Sequence, residues 1–168
     1  RGLGGGFPVG AMLCKEKLAG ALPPGTHGST FGGNPLASAA ALAVLKIVDD
    51  EKLTEGAVTK GEALSRMLRG LAAEFPQICE GERGLGLLRG LVLRPGHTSR
   101  DLLAKLQEAG VLLTAAGERV LRFSPPLVVT EAELEEGVRA VRAVIAELAD
   151  REREKSGHGR AAAALEGY

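Results

Sequence analysis

Tryptophan is absent from this 168-residue chain, and aromatic residues of any kind make up only 3% of it. Proteins that grip single-stranded nucleic acid stack successive bases on aromatic side chains, so that role lacks its platforms here. Net charge is missing as well: 21 basic and 21 acidic residues leave +0 at pH 7. Bulk attraction to a nucleic acid or an anionic membrane has no source in such a balance. Cysteine is scarce, with only Cys14 and Cys79 present. Two thiols at that separation give neither metal-ligand spacing nor a disulfide framework. Each is expected to be a small buried hydrophobe in a reducing compartment. No apolar run approaches the roughly 20 residues that a membrane helix needs. The N-terminus has neither the charged region nor the apolar core of a signal peptide. These absences point to the cytoplasm, with no nucleic acid, membrane or metal as partner. The chain also begins on Arg1 rather than Met, which suggests truncation or processing.

What is present has the balance of a globular protein, 45% hydrophobic and 25% charged, with length for one ordinary domain or one and a half small ones. Residues 7–13 form a short apolar run and read as a buried strand, with Pro8 confined to its start or to an edge. Glycine and proline crowd residues 20–33, which is loop chemistry. Asn34 then caps a helix with Pro35 at its first position. Alanine and leucine dominate the turns that follow, so this helix is expected to be apolar on most sides and buried. A second helix should span about 53–74, with Leu64, Leu68 and Leu71 on one face and Phe75-Pro76 at its end. Two strands follow, near 78–82 and 87–93, separated by Gly84-Leu85-Gly86. Thr98 with Asp101 opens a third helix, closed by Gly110. Short strands near 111–114 and 119–123 flank a turn at Ala116-Gly117. Thr130 and Glu133 form a capping box. After it Leu134, Val138, Val141, Ile145 and Leu148 repeat as one helical stripe. From residue 151 charges and alanines lose the pattern, and 151–168 reads as a disordered tail.

The chain therefore divides into four stretches. Residues 1–33 look like a piece of something larger, 34–50 a connecting helix, and 51–150 a compact α/β unit of helices on a small sheet. The tail completes it.

Few segments can carry chemistry. The glycines from Gly2 to Gly6 fail the dinucleotide pattern G-x-G-x-x-G, because Phe7 stands where the last glycine belongs and no strand precedes them. No Gly-Lys-Ser/Thr follows, so a P-loop is excluded, and a flexible turn is the plain reading. The run Gly28-Ser29-Thr30-Phe31-Gly32-Gly33-Asn34-Pro35 places two hydroxyls and several backbone N–H groups just before a helix N-terminus. That end carries unpaired donors and partial positive charge, which suits a phosphate. An ordinary helix start with local Ser and Thr turns is the competing reading. His27 has no second ligand or orienting partner nearby, so a structural role is favoured over catalysis. His97 and His158 lie in exposed-looking segments. Arg122 follows a strand and precedes a rigid Pro125-Pro126 corner. Its planar fork suits a carboxylate, although a strand-edge arginine paired to a surface acid would look the same.

Four motifs together narrow these alternatives. Leu3-Gly4-Gly5-Gly6 with Phe7-Pro8-Val9-Gly10-Ala11 is the first, and the run from Gly28 to Pro35 the second. Arg83-Gly84-Leu85-Gly86-Leu87 and Arg122-Phe123-Ser124-Pro125-Pro126-Leu127 are the others. They resemble the C-terminal portion of class III pyridoxal-phosphate aminotransferases of the acetylornithine type, over nearly the whole chain to about residue 148. The resemblance implies an α/β fold of fold-type I, here the end of the large cofactor domain plus the small C-terminal domain. It implies pyridoxal 5'-phosphate as cofactor and transfer of the ω-amino group of N-acetylornithine to 2-oxoglutarate, in arginine biosynthesis. Thr30 would bind the cofactor phosphate of the neighbouring subunit, which implies a homodimer with shared sites. Ser29 would lie near substrate, and Arg122 would hold the substrate carboxylate. Arg83 and its glycines would be structural, with Arg83 as a salt-bridge partner.

The chain departs from the family at one decisive place. The Schiff-base lysine belongs immediately before the glycine run, and Arg1 occupies that slot. Lys15 and Lys17 do not fit it. A guanidinium stays protonated and is no nucleophile, so the chain has no catalytic residue of this type and is expected to be inactive alone. Another ω-aminotransferase of the class, of succinylornithine or putrescine type, is an alternative reading. A non-catalytic interaction module derived from the family is a second.

Overall fold

The computed structural model describes the backbone of residues 2–165 and the side chains of residues 2–154. The chain forms two compact units, residues 1–54 and 55–168.

The first unit opens on a tight turn. Gly5 N–H donates to the Gly2 carbonyl and Phe7 N–H to that of Gly4. Gly5 and Gly6 have φ of 60° and 107°, and a Cβ at Gly4 would stand 2.3 Å from the Phe7 carbonyl oxygen. Only glycine tolerates that combination, so the run is a defined turn rather than a flexible one. Residues 7–13 follow without a strand partner. The expected strand does not form, because no strand among the described residues of this unit offers it a ladder. A short 3-10 helix over Glu16–Ala21 comes next. Helix α1 spans Pro35–Asp50, with the Asn34 side chain accepting from Ala37 N–H at 2.9 Å. The expected cap and Pro35 start are as read. The expected burial is not: Ala37 alone is buried, and Leu36, Leu42, Leu45 and Ile47 stand 48–69% exposed.

The second unit holds the core. Helix α2 spans Leu53–Glu74, and Leu64, Leu68 and Leu71 are buried at helical spacing as expected. Strands β1 (Cys79–Leu85) and β2 (Leu88–Leu93) form a hairpin. Leu85 pairs with Leu88, which makes Gly86-Leu87 the two-residue turn. Gly86 carries φ 53° there, the glycine-first pattern of a type II′ hairpin. A Cβ on Gly61 of α2 would stand 2.2 Å from the Gly86 carbonyl oxygen, so helix and turn meet backbone to backbone. Helix α3 spans Ser99–Glu108 and is capped by Thr98, whose hydroxyl also donates to Asp101 at 2.7 Å. Strand β3 is only Thr114–Ala115, and β4 spans Val120–Phe123. The sheet is antiparallel throughout, in the order β1-β2-β4-β3.

Strand alternation divides the sheet into two faces. Leu91, Leu93, Leu121 and Phe123 join α2, α3 and α4 in one buried cluster. Leu85 and Leu88, on the other face, are 87% and 59% exposed. A bulge between Cys79 and Gly81 inserts one residue and so turns Cys79 and Glu82 to the same inner side.

Helix α4 spans Glu131–Leu165. Its box is as read: Glu133 accepts from Thr130 N–H at 2.7 Å and from the Thr130 hydroxyl at 2.8 Å. Those bonds hold the Glu133 carboxyl below its ordinary pKa. Leu134, Val141 and Ile145 are buried, with Val138 and Leu148 packed beside them. The expected disordered tail from 151 is not found over 151–165, which continue α4. Arg, Glu, Lys and Ala, strong helix formers, make up most of 151–165, and the helix continues through Gly157 and Gly159 between them. Residues 166–168 lie outside the described residues.

Candidate active site

The chemistry-bearing residues fall in separate units, and each group stands on its own geometry. In the first unit Ser29 and Thr30 are exposed, and neither hydroxyl has a hydrogen-bond partner among the described residues. Ser29 lines a hollow of about 640 Å³ together with Phe7, Val9, Phe31, Asn34 and Ala37, whereas Thr30 is not among its lining residues. The helix end beside them is less open than the sequence suggests. Pro35 has no N–H, Asn34 Oδ1 takes that of Ala37, and Ser38 N–H bonds to the Asn34 carbonyl. Only the Leu36 N–H remains at that end. A phosphate here would rest on the Thr30 hydroxyl and loop donors rather than on a full helix terminus. His27 is exposed, and no group of three or more His, Cys, Asp or Glu among the described residues could hold a metal. Arg1 lies outside the described residues.

In the second unit Arg122 sits on β4, a central strand between β2 and β3. It is not the edge arginine that a surface pair would favour. Its Nε donates to Thr114 Oγ1 at 2.9 Å, and no carboxylate pairs with it among the described residues. Thr114 thus fixes the guanidinium by one donor and leaves both amino ends of the fork open. The Pro125-Pro126 corner beyond it is tied to α2, since Lys60 Nζ donates to the Leu127 carbonyl at 2.5 Å. Neither Thr114 nor Lys60 was visible as a site support in the sequence. The pairing of β3 with β4 that brings Thr114 opposite Arg122 depends on a register that no local motif states.

The Arg83 segment also differs from expectation. Arg83 is exposed and has no ion pair or hydrogen bond among the described residues. The arginine that anchors the hairpin is Arg89, 6% exposed. It donates to the carbonyls of Gly86 and Gly84 at 2.9 and 3.1 Å and to Glu62 at 3.0 Å. Its Nη1 stands 3.6 Å from Glu82, whose other oxygen accepts from Ser65. An inward arginine requires such partners, because a buried charge without them is costly.

The chain belongs to the class III aminotransferase family, whose model matches residues 1–145. It is 45% identical over 150 residues to the acetylornithine aminotransferase of Synechocystis sp., covering 88% of this chain and 35% of that protein. Acetylornithine aminotransferase from Elizabethkingia anophelis superposes with a TM-score of 0.72 at 35% identity, over 80% of this chain and 34% of its own. Ornithine aminotransferase from Toxoplasma gondii, with partially occupied pyridoxal phosphate at its active site, gives 0.73 at 34% identity, over 80% and 32%. The chain therefore spans about a third of the length of the relatives it matches. The expected fold, a mixed helix and sheet portion of a pyridoxal-phosphate aminotransferase, is the one observed. No helix among the described residues is long and apolar enough to cross a membrane.

Proposed function

We propose that this chain is the C-terminal portion of a pyridoxal-phosphate-dependent aminotransferase that moves the ω-amino group of N-acetylornithine to 2-oxoglutarate, within arginine biosynthesis in the cytoplasm. Residues 1–33 belong in this reading to the large cofactor domain, 34–50 to the connecting helix, and 51–150 to the small domain. The observation that carries it is Arg122, a central-strand arginine that has no acid paired to it among the described residues and whose Nε is held by Thr114. That is the arrangement for a bidentate carboxylate.

The residues present fit one edge of the cofactor. Thr30, whose hydroxyl has no partner among the described residues, would donate to a phosphate oxygen in the neighbouring subunit of a homodimer, and Ser29 would face the substrate. When bound, the cofactor supplies an electron sink for proton loss at the carbon bearing the amino group. This chain's own residues then bind and orient: Arg122 fixes the carboxylate, and the Pro125-Pro126 corner holds the strand end in place. The chain alone is inactive in this reading, since Arg1 cannot replace a nucleophilic amine.

Two assays test it. The purified 168-residue chain, given cofactor, N-acetylornithine and 2-oxoglutarate, should form no glutamate above the blank. A chimera should restore turnover when it joins the preceding part of the Synechocystis relative, with its lysine, ahead of residue 2. In that chimera N-acetylornithine should outcompete succinylornithine and putrescine. A chimera that turns over putrescine in preference would overturn the substrate assignment. Substituting Arg122→Gln there should lower kcat/KM for 2-oxoglutarate by about 100-fold, the scale of losing a charged pair of hydrogen bonds.

A further inference from the structure

Arg122 has two direct cross-strand neighbours, Gly90 on β2 and Thr114 on β3. Residues directly opposite in an antiparallel ladder project from the same face. Gly90 has no side chain, so Thr114 is the one direct neighbour that can reach the guanidinium from its own strand. Its hydroxyl oxygen accepts from Arg122 Nε at 2.9 Å. The register behind this contact is pinned from outside the two strands. Ala116 N–H donates to the Val120 carbonyl at 3.0 Å and closes the β3–β4 hairpin, which turns at Gly117 with φ 80°. Ser99, the first residue of α3 and only 2% exposed, grips that turn. Its N–H donates to the Glu118 carbonyl at 2.7 Å, and its hydroxyl proton is shared between the Glu118 and Gly117 carbonyls at 2.9 and 3.1 Å. A slip of one residue would turn Thr114 to the opposite face and break the contact with Arg122.

The bond at Nε has a particular consequence. A long exposed arginine samples many rotamers, and a ligand that binds it must bear the cost of ordering them. Nε lies at the root of the planar fork, so a bond there fixes the plane in which both amino groups lie. Arg89 and Arg142 also donate through Nε, but their amino groups are taken by Glu62 and Glu74. Arg122 is held at Nε alone, with no bond to its amino groups among the described residues. The holder is also uncharged. A glutamate in place of Thr114 would orient the arginine too, but it would compete with an incoming carboxylate for the same charge.

We infer that Thr114 is a positioning residue, whose hydroxyl sets the plane of the Arg122 guanidinium for a substrate carboxylate. The inference rests on the proposed role of Arg122 and deepens it. Thr114 acts only through Arg122 and bears on binding of the carboxylate rather than on the chemical step.

Two measurements test it. In the 168-residue chain the Arg122 Nε–H NMR signal should be dispersed and slow to exchange with water. Thr114→Val keeps the β-branch and removes the hydroxyl. It should return that signal to the position and exchange rate of a free arginine side chain, while the backbone amides of Leu121 and Phe123 stay in place. Thr114→Ser should restore the signal. In the chimera described above, Thr114→Val should raise KM for 2-oxoglutarate about tenfold with kcat within about twofold, the scale of one lost hydrogen bond that orders a binding group. Thr114→Ser should recover most of that loss. An Arg122 Nε–H signal indifferent to Thr114→Val overturns the inference and leaves Arg122 its role. So does an unchanged KM in a chimera that Arg122→Gln impairs. A loss of kcat with a lowered urea midpoint, unrepaired by Thr114→Ser, also overturns it, because Thr114 would then serve the fold alone. A chimera without turnover, or one that Arg122→Gln leaves fully active, removes the role of Arg122 and the inference with it.

Discussion

At the scale of single residues, environment separates groups of the same type. Arg89 and Arg122 lie on neighbouring strands, yet one faces inward to glutamates and carbonyls and the other outward to a single threonine. Cys14 and Cys79 divide the same way: Cys14 is exposed, contrary to the expectation of burial for both, and Cys79 is 1% exposed as expected. Burial pushes the Cys79 thiol up to about 11 from an ordinary value of 9.0. The unfolded chain therefore loses this proton first as pH rises. Cys79 contributes its full stability below about pH 9 and loses it progressively towards about pH 11, at up to ~1.4 kcal/mol per pH unit. Unfolding free energies from urea titration of the unsubstituted protein and Cys79→Ala should differ most near about pH 8 and converge by about 2–3 kcal/mol near about pH 11. A difference that stays constant across that window would contradict the assignment. The thiol's burial was legible as a prior on residue type. The inward turn of Arg89 was not, because it depends on the hairpin register and on Glu62 lying above it.

At the scale of elements, legibility follows locality. Asn34, Thr98 and Thr130 cap helices where the sequence places them, since a cap joins residues three apart and needs no tertiary information. The stripes Leu64-Leu68-Leu71 and Leu134-Val141-Ile145 were readable for the same reason. Residues 7–13 have a strand's composition and no strand, because a ladder needs a partner that composition does not supply. The pairing of Arg83 with Gly90 was hidden likewise: it exists only through the Gly86-Leu87 turn and the register that follows from it. That turn is fixed from outside by Gly61, and two glycines in α2 can show how. Gly61→Ala gains about 1 kcal/mol of helix propensity. It also forces a Cβ to within 2.2 Å of the Gly86 carbonyl oxygen, where backbone must move. The net change should be a loss of about 1–3 kcal/mol. Gly70→Ala in the same helix meets nothing within 4 Å and should stabilise by up to about 1 kcal/mol. Urea unfolding of the pair, at unchanged m-value, checks both signs. Stabilisation of Gly61→Ala would mean that helix and turn do not press together.

At the scale of the whole molecule, the exposed apolar side chains of the first unit govern how the chain behaves in solution. At 100° per residue around a helix, Leu36 and Ile47 fall on one side of α1 and Leu42 and Leu45 on the other. All four are substantially exposed, and Met12 and Leu13 stand 73% and 91% exposed in the same unit. A helix that is apolar on most sides belongs inside a larger assembly. The sequence reading of α1 as buried is therefore wrong for this chain, where only Ala37 of the helix is buried. The relatives are about three times as long as the matched stretch, and a shared-site dimer would bring a second copy as well. Exposed apolar side chains in this number favour association of the chain with itself. Sedimentation of the purified chain should show weight-average mass rising with concentration over about 1–100 μM, the range in which modest apolar contacts exchange with monomer. Leu42→Glu with Leu45→Glu places charge on one exposed side of α1 and leaves the buried cluster of the second unit untouched. That variant should keep its urea midpoint for the second unit while its mass shifts towards 17.4 kDa. A concentration-independent 17.4 kDa species in the unsubstituted chain would show instead that the exposed leucines are tolerated in water, and that α1 needs no cover to persist.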